Sequence, residues 1–278
     1  MALAVLQNGY LASGGEDRTI QIWNTESGDL ITSLTGHTSY ITALEVLQNG
    51  HLASGSTDQT IKVWNTETST LLTTLVGHNE SVSSLAVLQN GYLASGSYDK
   101  TIKIWNTELG SLIRTLTGLS SVNSLAVLKN GYLASGSDDI TINIWIPETG
   151  YLTRKLVGHS GSVKSLVVLQ NGFLASGSAN GLIFIWNTYF DNTLNIETVM
   201  AQYNSPVWSL AVVKNGYLAI GYGNGLVSIW SANNKNLTTL LTGNNGQVFS
   251  LAVLKNGYLA SGSYQRIKIN QIDYSMRR

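Results

Sequence analysis

Residues 85–96 read Leu-Ala-Val-Leu-Gln-Asn-Gly-Tyr-Leu-Ala-Ser-Gly, two apolar runs on either side of an Asn-Gly pair. Asn and Gly tolerate the positive φ angles of a type I′ turn better than other residues, so this stretch predicts a tight β-hairpin. The run before the turn has no polar face, which indicates a strand buried on both sides. The same pair recurs along the chain at Asn8, Asn49, Asn90, Asn130, Asn171, Asn215 and Asn256.

The spacing of the Asn-Gly pairs sets the architecture. The steps between them are 41, 41, 40, 41, 44 and 41 residues. A period near 41 with strands around a tight turn is typical of propeller blades and not of a helical solenoid. Residues 81–116 contain four strand-like segments separated by turns. The sequence therefore predicts an all-β, seven-bladed β-propeller of four-stranded antiparallel blades, formed as one domain by residues 1–278.

The last repeat departs from this rule. Counted against the others, the seventh unit is short by about a dozen residues. We therefore expect blade 7 either to have a short fourth strand at residues 272–276 or to lack its outer strand. A sheet edge left in this way is a template for pairing with another strand.

Three further motifs accompany the turns at fixed spacing. Gly-His occurs at Gly36-His37, Gly77-His78 and Gly158-His159, Ser-Gly-Ser-x-Asp occurs at residues 54–58, and Ile-x-(Ile/Val)-Trp ends third strands. In these features the chain resembles the WD40 repeat family over essentially its whole length. The resemblance implies a buried network of histidine, serine, aspartate and tryptophan in each intact blade. The matching residues are His37, Ser54, Asp58 and Trp64 in blade 2, and His78, Ser95, Asp99 and Trp105 in blade 3.

The later repeats lose parts of this network. Leu119 stands at the histidine position of blade 4, Asn180 at the aspartate position of blade 5, and Ile220 at the serine position of blade 6. We expect the second half of the chain to be held more by apolar packing than by polar networks.

Catalysis and metal binding are not indicated. A neighbouring aspartate, histidine and serine resemble a hydrolase triad, but a set that recurs blade after blade is better interpreted as structural. The chain has four histidines and no cysteine. Three of the histidines lie in the Gly-His pairs named above, each in a different blade, and His51 follows the Asn-Gly turn of blade 2. We therefore predict a protein that is not an enzyme and has no metal or other cofactor.

The amino-acid composition limits the classes of partner that we expect. Charged residues make up 12% of the chain, and 16 basic residues balance 16 acidic ones. A nucleic-acid partner is not expected because no basic run is present. No signal peptide or stretch of about 20 apolar residues occurs, so we expect no membrane association. Together with the absence of cysteine, this favours a cytoplasmic location.

In the family, partners usually bind around the channel mouth, on the face where the innermost strands begin. The resemblance assigns two variable positions per blade to this face. Large residues at them are typical of interface hot spots. The candidates are Lys164 on blade 5, Trp208 on blade 6, Phe249 and Tyr264 on blade 7, and Tyr40 and Tyr98 elsewhere on the rim.

Other interpretations of the rim stay open. Trp208 and Phe249 could instead fill space where the polar networks are lost. Glu16 and Asp138, with Tyr98, could favour a basic peptide on blades 1, 3 and 4.

The leading hypothesis is a non-enzymatic scaffold that binds a peptide or protein partner at the channel-mouth face. The alternative is a self-assembling or structural repeat domain, or a fragment of a larger WD40 protein, that uses the open edge of blade 7. The first predicts a monomer and the second a weak edge-mediated oligomer, which light scattering distinguishes.

Overall fold

The computed structural model describes residues 1–118, 120–189, 196–201, 204–231, 237–244, 246–264 and 266–272. These residues form seven antiparallel sheets, each built from consecutive strands. The innermost strand of each sheet packs against that of the next, and the last packs against the first. The predicted all-β, seven-bladed propeller is confirmed. Within the described part of the chain, six blades have four strands and blade 7 has three.

The strands of the first four blades follow one pattern from the innermost to the outermost. They are β1 (Ala2–Val5), β2 (Leu11–Gly14), β3 (Thr19–Trp23) and β4 (Leu30–Thr35); β5 (Ile41–Val46), β6 (Leu52–Ser56), β7 (Thr60–Asn65) and β8 (Thr70–Val76); β9 (Val82–Val87), β10 (Leu93–Ser97), β11 (Ile102–Asn106) and β12 (Ser111–Leu116); and β13 (Val122–Val127), β14 (Leu133–Ser137), β15 (Ile142–Ile146) and β16 (Tyr151–Leu156).

The remaining blades continue the pattern, with one short 3-10 helix in blade 6, Lys214–Gly216. Their strands are β17 (Val163–Val168), β18 (Leu174–Ser178), β19 (Leu182–Trp186) and β20 (Ile196–Ala201); β21 (Val207–Val212), β22 (Tyr217–Tyr222), β23 (Val227–Ser231) and β24 (Leu237–Leu241); and β25 (Ser250–Val253), β26 (Leu259–Gly262) and β27 (Ile267–Asn270).

The prediction of a type I′ turn at Asn-Gly is wrong. At the first hairpin only the glycine has a positive φ, 93° at Gly9, and the asparagine does not. The amide of Gly9 donates to the carbonyl of Leu6 at 2.9 Å, and the Leu6 amide donates to the carbonyl of Tyr10 at 2.8 Å. This is a type I turn closed by a glycine bulge. The side chain of Asn8 accepts from the Tyr10 amide at 3.0 Å, which explains the asparagine.

The blades pack so closely that the second strand requires glycine. A Cβ on Gly14 would lie 2.5 Å from Cγ2 of Ile41 in blade 2, and one on Gly96 would lie 2.5 Å from Cγ1 of Val122 in blade 4. Apolar clusters fill the space between neighbouring blades. The glycine of the Ser-Gly motif is thus required by the packing between neighbouring blades, and not only by the turn that follows it.

Blade 7 meets blade 1 through contacts near the channel. The Leu3 amide donates to the Ser250 hydroxyl at 3.2 Å, and the Lys255 ammonium donates to the carbonyl of Gln7. Further out, β27 pairs with β26 and with no other strand among the described residues. The expected short fourth strand at residues 272–276 falls almost wholly on residues 273–278, which lie outside the described residues.

Candidate partner-binding face

Blade 2 contains a closed hydrogen-bonded network between its strands and the loop after β4. Nδ1 of His37 lies 2.8 Å from Oδ2 of Asp58, and Nε2 lies 2.7 Å from Oγ of Ser54. The indole N–H of Trp64 donates to the same serine oxygen at 2.8 Å. Blade 3 repeats these contacts at 2.7, 2.7 and 2.8 Å with His78, Asp99, Ser95 and Trp105.

The protonation of this network follows from its surroundings. Burial lowers the pKa of His37, although the hydrogen bond to Asp58 opposes the shift. Burial alone would raise the pKa of Asp58, but hydrogen bonds from Thr60, the Thr38 amide and His37 lower it to about 2. A neutral imidazole therefore donates from Nδ1 to the carboxylate and accepts at Nε2 from the serine hydroxyl. Ser54 is completely buried and also accepts from an indole, so the set stabilises the blade and presents no nucleophile to solvent.

Blade 5 keeps only half of the network. His159 Nε2 lies 2.6 Å from Oγ of Ser176, which also accepts from Trp186 at 2.7 Å. Asn180 bonds to Ser160 at 2.7 Å instead, and Nδ1 of His159 is buried with no acceptor among the described residues. Burial without a carboxylate lowers the pKa of His159 to about 4.

Blade 6 has replaced the network by apolar packing. Ile220, 1% exposed, occupies the serine position, and the buried indole nitrogen of Trp230 has no acceptor among the described residues. Tyr222 is fully buried in the same blade, with its hydroxyl 3.2 Å from that of Ser228. The histidine position of blade 4, Leu119, lies outside the described residues. Elsewhere in the described chain, no group of three or more potential metal ligands occurs.

In blades 2 to 6 a β-bulge near the start of the innermost strand leaves one residue out of the pairing with the second strand. In blade 6 the pairing skips from Val207 to Ser209 and leaves Trp208 unpaired, and in blade 5 it skips Lys164 in the same way. Bulges commonly redirect a side chain in this manner. We call these positions the bulge residues; they are Thr42, Ser83, Asn123, Lys164 and Trp208. Phe249 stands at the corresponding position, directly before β25.

The structure brings three of the predicted rim residues into one aromatic row. The ring centroids of Trp208 and Phe249 are 5.8 Å apart, and those of Phe249 and Tyr264 are 4.8 Å apart with the rings perpendicular. Trp208 and Phe249 are half-buried, and Tyr264 is 55% exposed. A Cβ on Gly223 would lie 3.2 Å from the indole nitrogen of Trp208, so the glycine makes room for the ring.

Lys164 joins this row to an acidic group. Its ammonium lies 5.9 Å from the centroid of the Trp208 ring and 2.8 Å from Oδ1 of Asp138. Asn123 donates to the same Asp138 oxygen at 2.8 Å. The charge of Lys164 and its hydrogen bond lower the pKa of Asp138 although burial would raise it. The cation is therefore held in place beside the aromatic row.

The other two predicted rim residues lie on either side of this row. Tyr40, 48% exposed, lines the same cavity as Phe249 and Tyr264. Tyr98, 47% exposed, has a pKa raised by partial burial and by the charge of Asp138. The structure gives Tyr98 no ring contact with the aromatic row, so it belongs to the acidic side of the rim.

Sequence reasoning missed the residues that support the row. Asn123 and Lys164 are 41 residues apart, one repeat, and their side chains meet because bulge residues of adjacent blades are neighbours. Their shared partner Asp138 was predicted only as part of a separate acidic surface with Glu16 and Tyr98. The role of Gly223 could have been predicted from the sequence. At the position before the turn aspartate, blades 1 to 4 have Glu, Thr, Tyr and Asp, whereas blade 6 has glycine.

A cavity of about 890 Å³ opens beside the row, between blades 7 and 1. Phe249 and Tyr264 line it together with Trp23 and Ile269, which lie on the third strands β3 and β27. The described residues include no helix long and apolar enough to cross a membrane.

Comparison with known proteins agrees with this architecture. The profile of the WD domain, G-beta repeat, matches residues 2–24, 28–65, 69–106, 110–145 and 150–187, which is more than half of the chain. A nuclear distribution protein, PAC1 of Coprinopsis cinerea, is 43% identical over 35 residues, which cover 13% of this chain and 8% of that protein. Propellers of this repeat are typically protein-interaction scaffolds and are generally not enzymes. The chain belongs to the WD40 repeat family.

Proposed function

We propose that this protein is a non-enzymatic scaffold that binds a peptide or protein partner at the channel-mouth face. The contact surface is the aromatic row of Trp208, Phe249 and Tyr264, extended by Lys164. Tyr40 and Tyr98 flank it on the two sides of the rim. A cytoplasmic location and the absence of a nucleic-acid or membrane partner are part of the same proposal.

The observation that carries the proposal is the different use of the bulge residues around the ring. In blades 2 and 3 the hydroxyls of Thr42 and Ser83 donate to carbonyls of the neighbouring blade, Val82 and Val122. These side chains are small and bound to the framework. In blades 6 and 7 the same position carries Trp208 and Phe249. The indole N–H of Trp208 has no acceptor among the described residues, and Phe249 has no side-chain donor or acceptor.

The residue types fit a binding role. Aromatic side chains supply large contact areas at a low entropic cost and dominate interface hot spots. Tyr264 is more than half exposed, and it stands edge-on to Phe249, so the row has a free outer surface. Asp138 and Asn123 orient the Lys164 ammonium, and a partner carboxylate or carbonyl can therefore meet a cation that is already positioned.

The proposal is tested by measuring both the binding affinity and the free energy of unfolding of the same variants. A peptide is selected from a random library on the wild-type protein, and its Kd is compared for Trp208→Ala and Phe249→Ala. Each substitution is expected to weaken binding by about 1–4 kcal/mol. The free energy of unfolding should change by only about 1 kcal/mol, because both side chains are half-buried and lie outside the apolar clusters between blades.

Tyr151→Ala is the matched control. Tyr151 is 67% exposed but lies on β16, the outermost strand of blade 4. Its loss should leave the Kd unchanged. If Trp208→Ala and Phe249→Ala strongly lower stability while binding is retained, the rings fill space and the assignment is wrong.

A further inference from the structure

The residue before each Asn-Gly pair reaches across to the next blade. The innermost strands end at the face opposite the channel mouth, and the Asn-Gly turns lie there around the channel. This residue is glutamine in blades 1, 2, 3 and 5 and lysine in blades 4, 6 and 7. Nε2 of Gln7 donates to the carbonyl of Gln48 at 3.3 Å, and Nε2 of Gln89 donates to the carbonyl of Lys129 at 3.0 Å. These side chains therefore bridge neighbouring blades.

Lysine makes the same contact and adds a charge. The ammonium groups of Lys129 and Lys255 each donate to the carbonyl of the glutamine that precedes the Asn-Gly pair of the next blade, blade 1 following blade 7. The ammonium of Lys214 reaches the turn of blade 7, 3.5 Å from where a Cβ on Gly257 would lie. Because glutamine serves in four blades, the bridging does not require a charge. We call Lys129, Lys214 and Lys255 the lysine arc.

The charges of the lysine arc are not compensated by acidic side chains. All three lysines are exposed, and no carboxylate in the described part of the chain lies within 4 Å of their ammonium groups. In contrast, the ammonium groups of Lys155 and Lys164 lie 3.6 and 2.8 Å from carboxylate oxygens of Asp139 and Asp138. The arc is therefore a positive patch that is open to an anionic group.

Acidic side chains lie on the same face but further from the channel. The turn after each third strand is on this face, because the third strand runs in the same direction as the innermost one. In blade 1 the Thr25 hydroxyl of that turn donates to the carbonyl of Gly9 at 3.3 Å. Exposed glutamates occupy the outer turn in blades 1 to 4, and they are Glu26, Glu67, Glu108 and Glu148. A flat anionic surface, such as a membrane, would meet these glutamates, whereas a narrow chain along the arc would not.

We propose that the lysine arc binds an extended acidic segment of a partner protein, on the face opposite the aromatic row. Carboxylates of the segment pair with the three ammonium groups. The lysines belong to three different blades, which favours an extended chain over a single small anion. Contacts with the next blade already position the ammonium groups, so less side-chain entropy is lost on binding. Since the two sites lie on opposite faces, the protein can hold two partners at once.

The experiment uses a synthetic acidic probe. The fluorescein-labelled peptide Gly-Glu-Gly-Glu-Gly-Glu-Gly-Glu-Gly is titrated with the protein and followed by anisotropy at low ionic strength. We expect saturable binding that weakens as sodium chloride is added, because salt screens exposed charges. The same peptide with glutamine in place of each glutamate should not bind. This control leaves the protein intact, so it holds even if a protein variant folds poorly.

The chain itself supplies the substitution for the protein. The combined variant Lys129→Gln, Lys214→Gln and Lys255→Gln gives blades 4, 6 and 7 the residue that the other four blades have at this position. The bridging contacts are kept, so the free energy of unfolding should stay nearly the same. Binding of the acidic peptide should weaken by about tenfold or more, because each exposed ion pair contributes up to about fivefold.

A charge-matched variant is the control. Lys100→Gln, Arg114→Gln and Lys155→Gln combined remove the same number of exposed positive charges from other surfaces, namely the turn between β10 and β11 and the outermost strands β12 and β16. This variant should keep the affinity of the wild type for the acidic peptide. Trp208→Ala should keep it as well, because that ring lies on the other face.

Three outcomes would overturn the proposal. The first is an acidic peptide that does not bind saturably. The second is equal weakening in the two combined variants, which would mean that net charge alone governs binding. The third is displacement of the peptide by phosphatidylserine vesicles that bind the wild type and not the variant of the lysine arc. A membrane would then be the occupant.

Discussion

Blades 2 and 3 differ from blades 5 and 6 in what their polar groups do, although all four have the same strand order. In blades 2 and 3 the histidine, aspartate, serine and tryptophan satisfy one another, and the bulge residues Thr42 and Ser83 bond to the next blade. In blade 5 one nitrogen of His159 has no acceptor among the described residues, and in blade 6 the same is true of the indole of Trp230.

The comparison shows that the networks are not required for the blade to form. A buried donor without an acceptor costs about 1–3 kcal/mol. Blade 6 offsets this cost by burying Ile220 where a serine stood, and blade 5 stacks His159 on Phe184 at 4.3 Å. The same two blades carry Lys164 and Trp208 as bulge residues. The intact polar networks and the large bulge residues thus lie in different blades of the propeller.

We expect the largest difference in stability between blades 3 and 5 at the aspartate position of the network, which is Asp99 in blade 3 and Asn180 in blade 5. Asp99→Ala removes the acceptor of Nδ1 of the buried His78, and also that of the more exposed Asn79 and Thr101 amides. We expect it to lower the free energy of unfolding by about 2–3 kcal/mol, because a buried donor is left without its acceptor. Asn180→Ala at the same position of blade 5 should cost about 1 kcal/mol, because His159 Nδ1 does not bind Asn180. Urea denaturation of the two variants measures the contrast.

Equal losses in the two variants would mean that the position matters through its turn alone. Asp29→Asn is a suitable control, since this aspartate is exposed in blade 1 and should change the midpoint little.

The sequence predicted the number and order of the blades, but it missed the type of the Asn-Gly turn and the side-chain contacts between neighbouring blades. The seven blades and the positions of residues such as Trp64 and Trp105 follow from a period that can be counted. The type I turn at Asn8 does not, because Asn-Gly is compatible with two turn types that place the glycine differently. The contact of Lys164 with Asp138 joins side chains on neighbouring blades, and it depends on bulges that leave no local mark in the sequence.

The next contrast is in the response to acid. Burial lowers the pKa of His159 to about 4, against an ordinary value of 6.5, so the unfolded chain takes up its proton first as the pH falls. The stability that this histidine contributes is present above about pH 6.5 and is lost towards pH 4. The loss at about pH 4.5 is on the order of 2 kcal/mol. Urea midpoints measured at several pH values between about 7 and 4.5 follow it.

His159→Gln should flatten this dependence, because glutamine does not titrate. His37 and His78 have lowered pKa values of the same sign, but a carboxylate opposes the shift in each, so their contribution is smaller. The lowered pKa of Asp58, about 2, adds a separate loss only below about pH 4. An unchanged pH profile in His159→Gln would show that blade 5 is not the acid-sensitive region.

The smallest expected effect comes from replacing the network tryptophan of blade 2 or blade 6 by phenylalanine. This substitution removes one hydrogen-bond donor and keeps an aromatic ring. Trp64→Phe removes the N–H that binds Ser54 and leaves a small gap against Gly36, and we expect a loss of about 1–2 kcal/mol. Trp230→Phe creates a similar gap, but it also removes a buried donor that has no acceptor among the described residues. Deleting an unsatisfied donor relieves its desolvation cost, so this loss should be smaller by about 1 kcal/mol. The free energies of unfolding of the two variants give the difference. A larger loss in Trp230→Phe would mean that the indole of blade 6 has a hydrogen-bond acceptor in solution. Blades 2 and 6 would then be more alike than their side chains indicate.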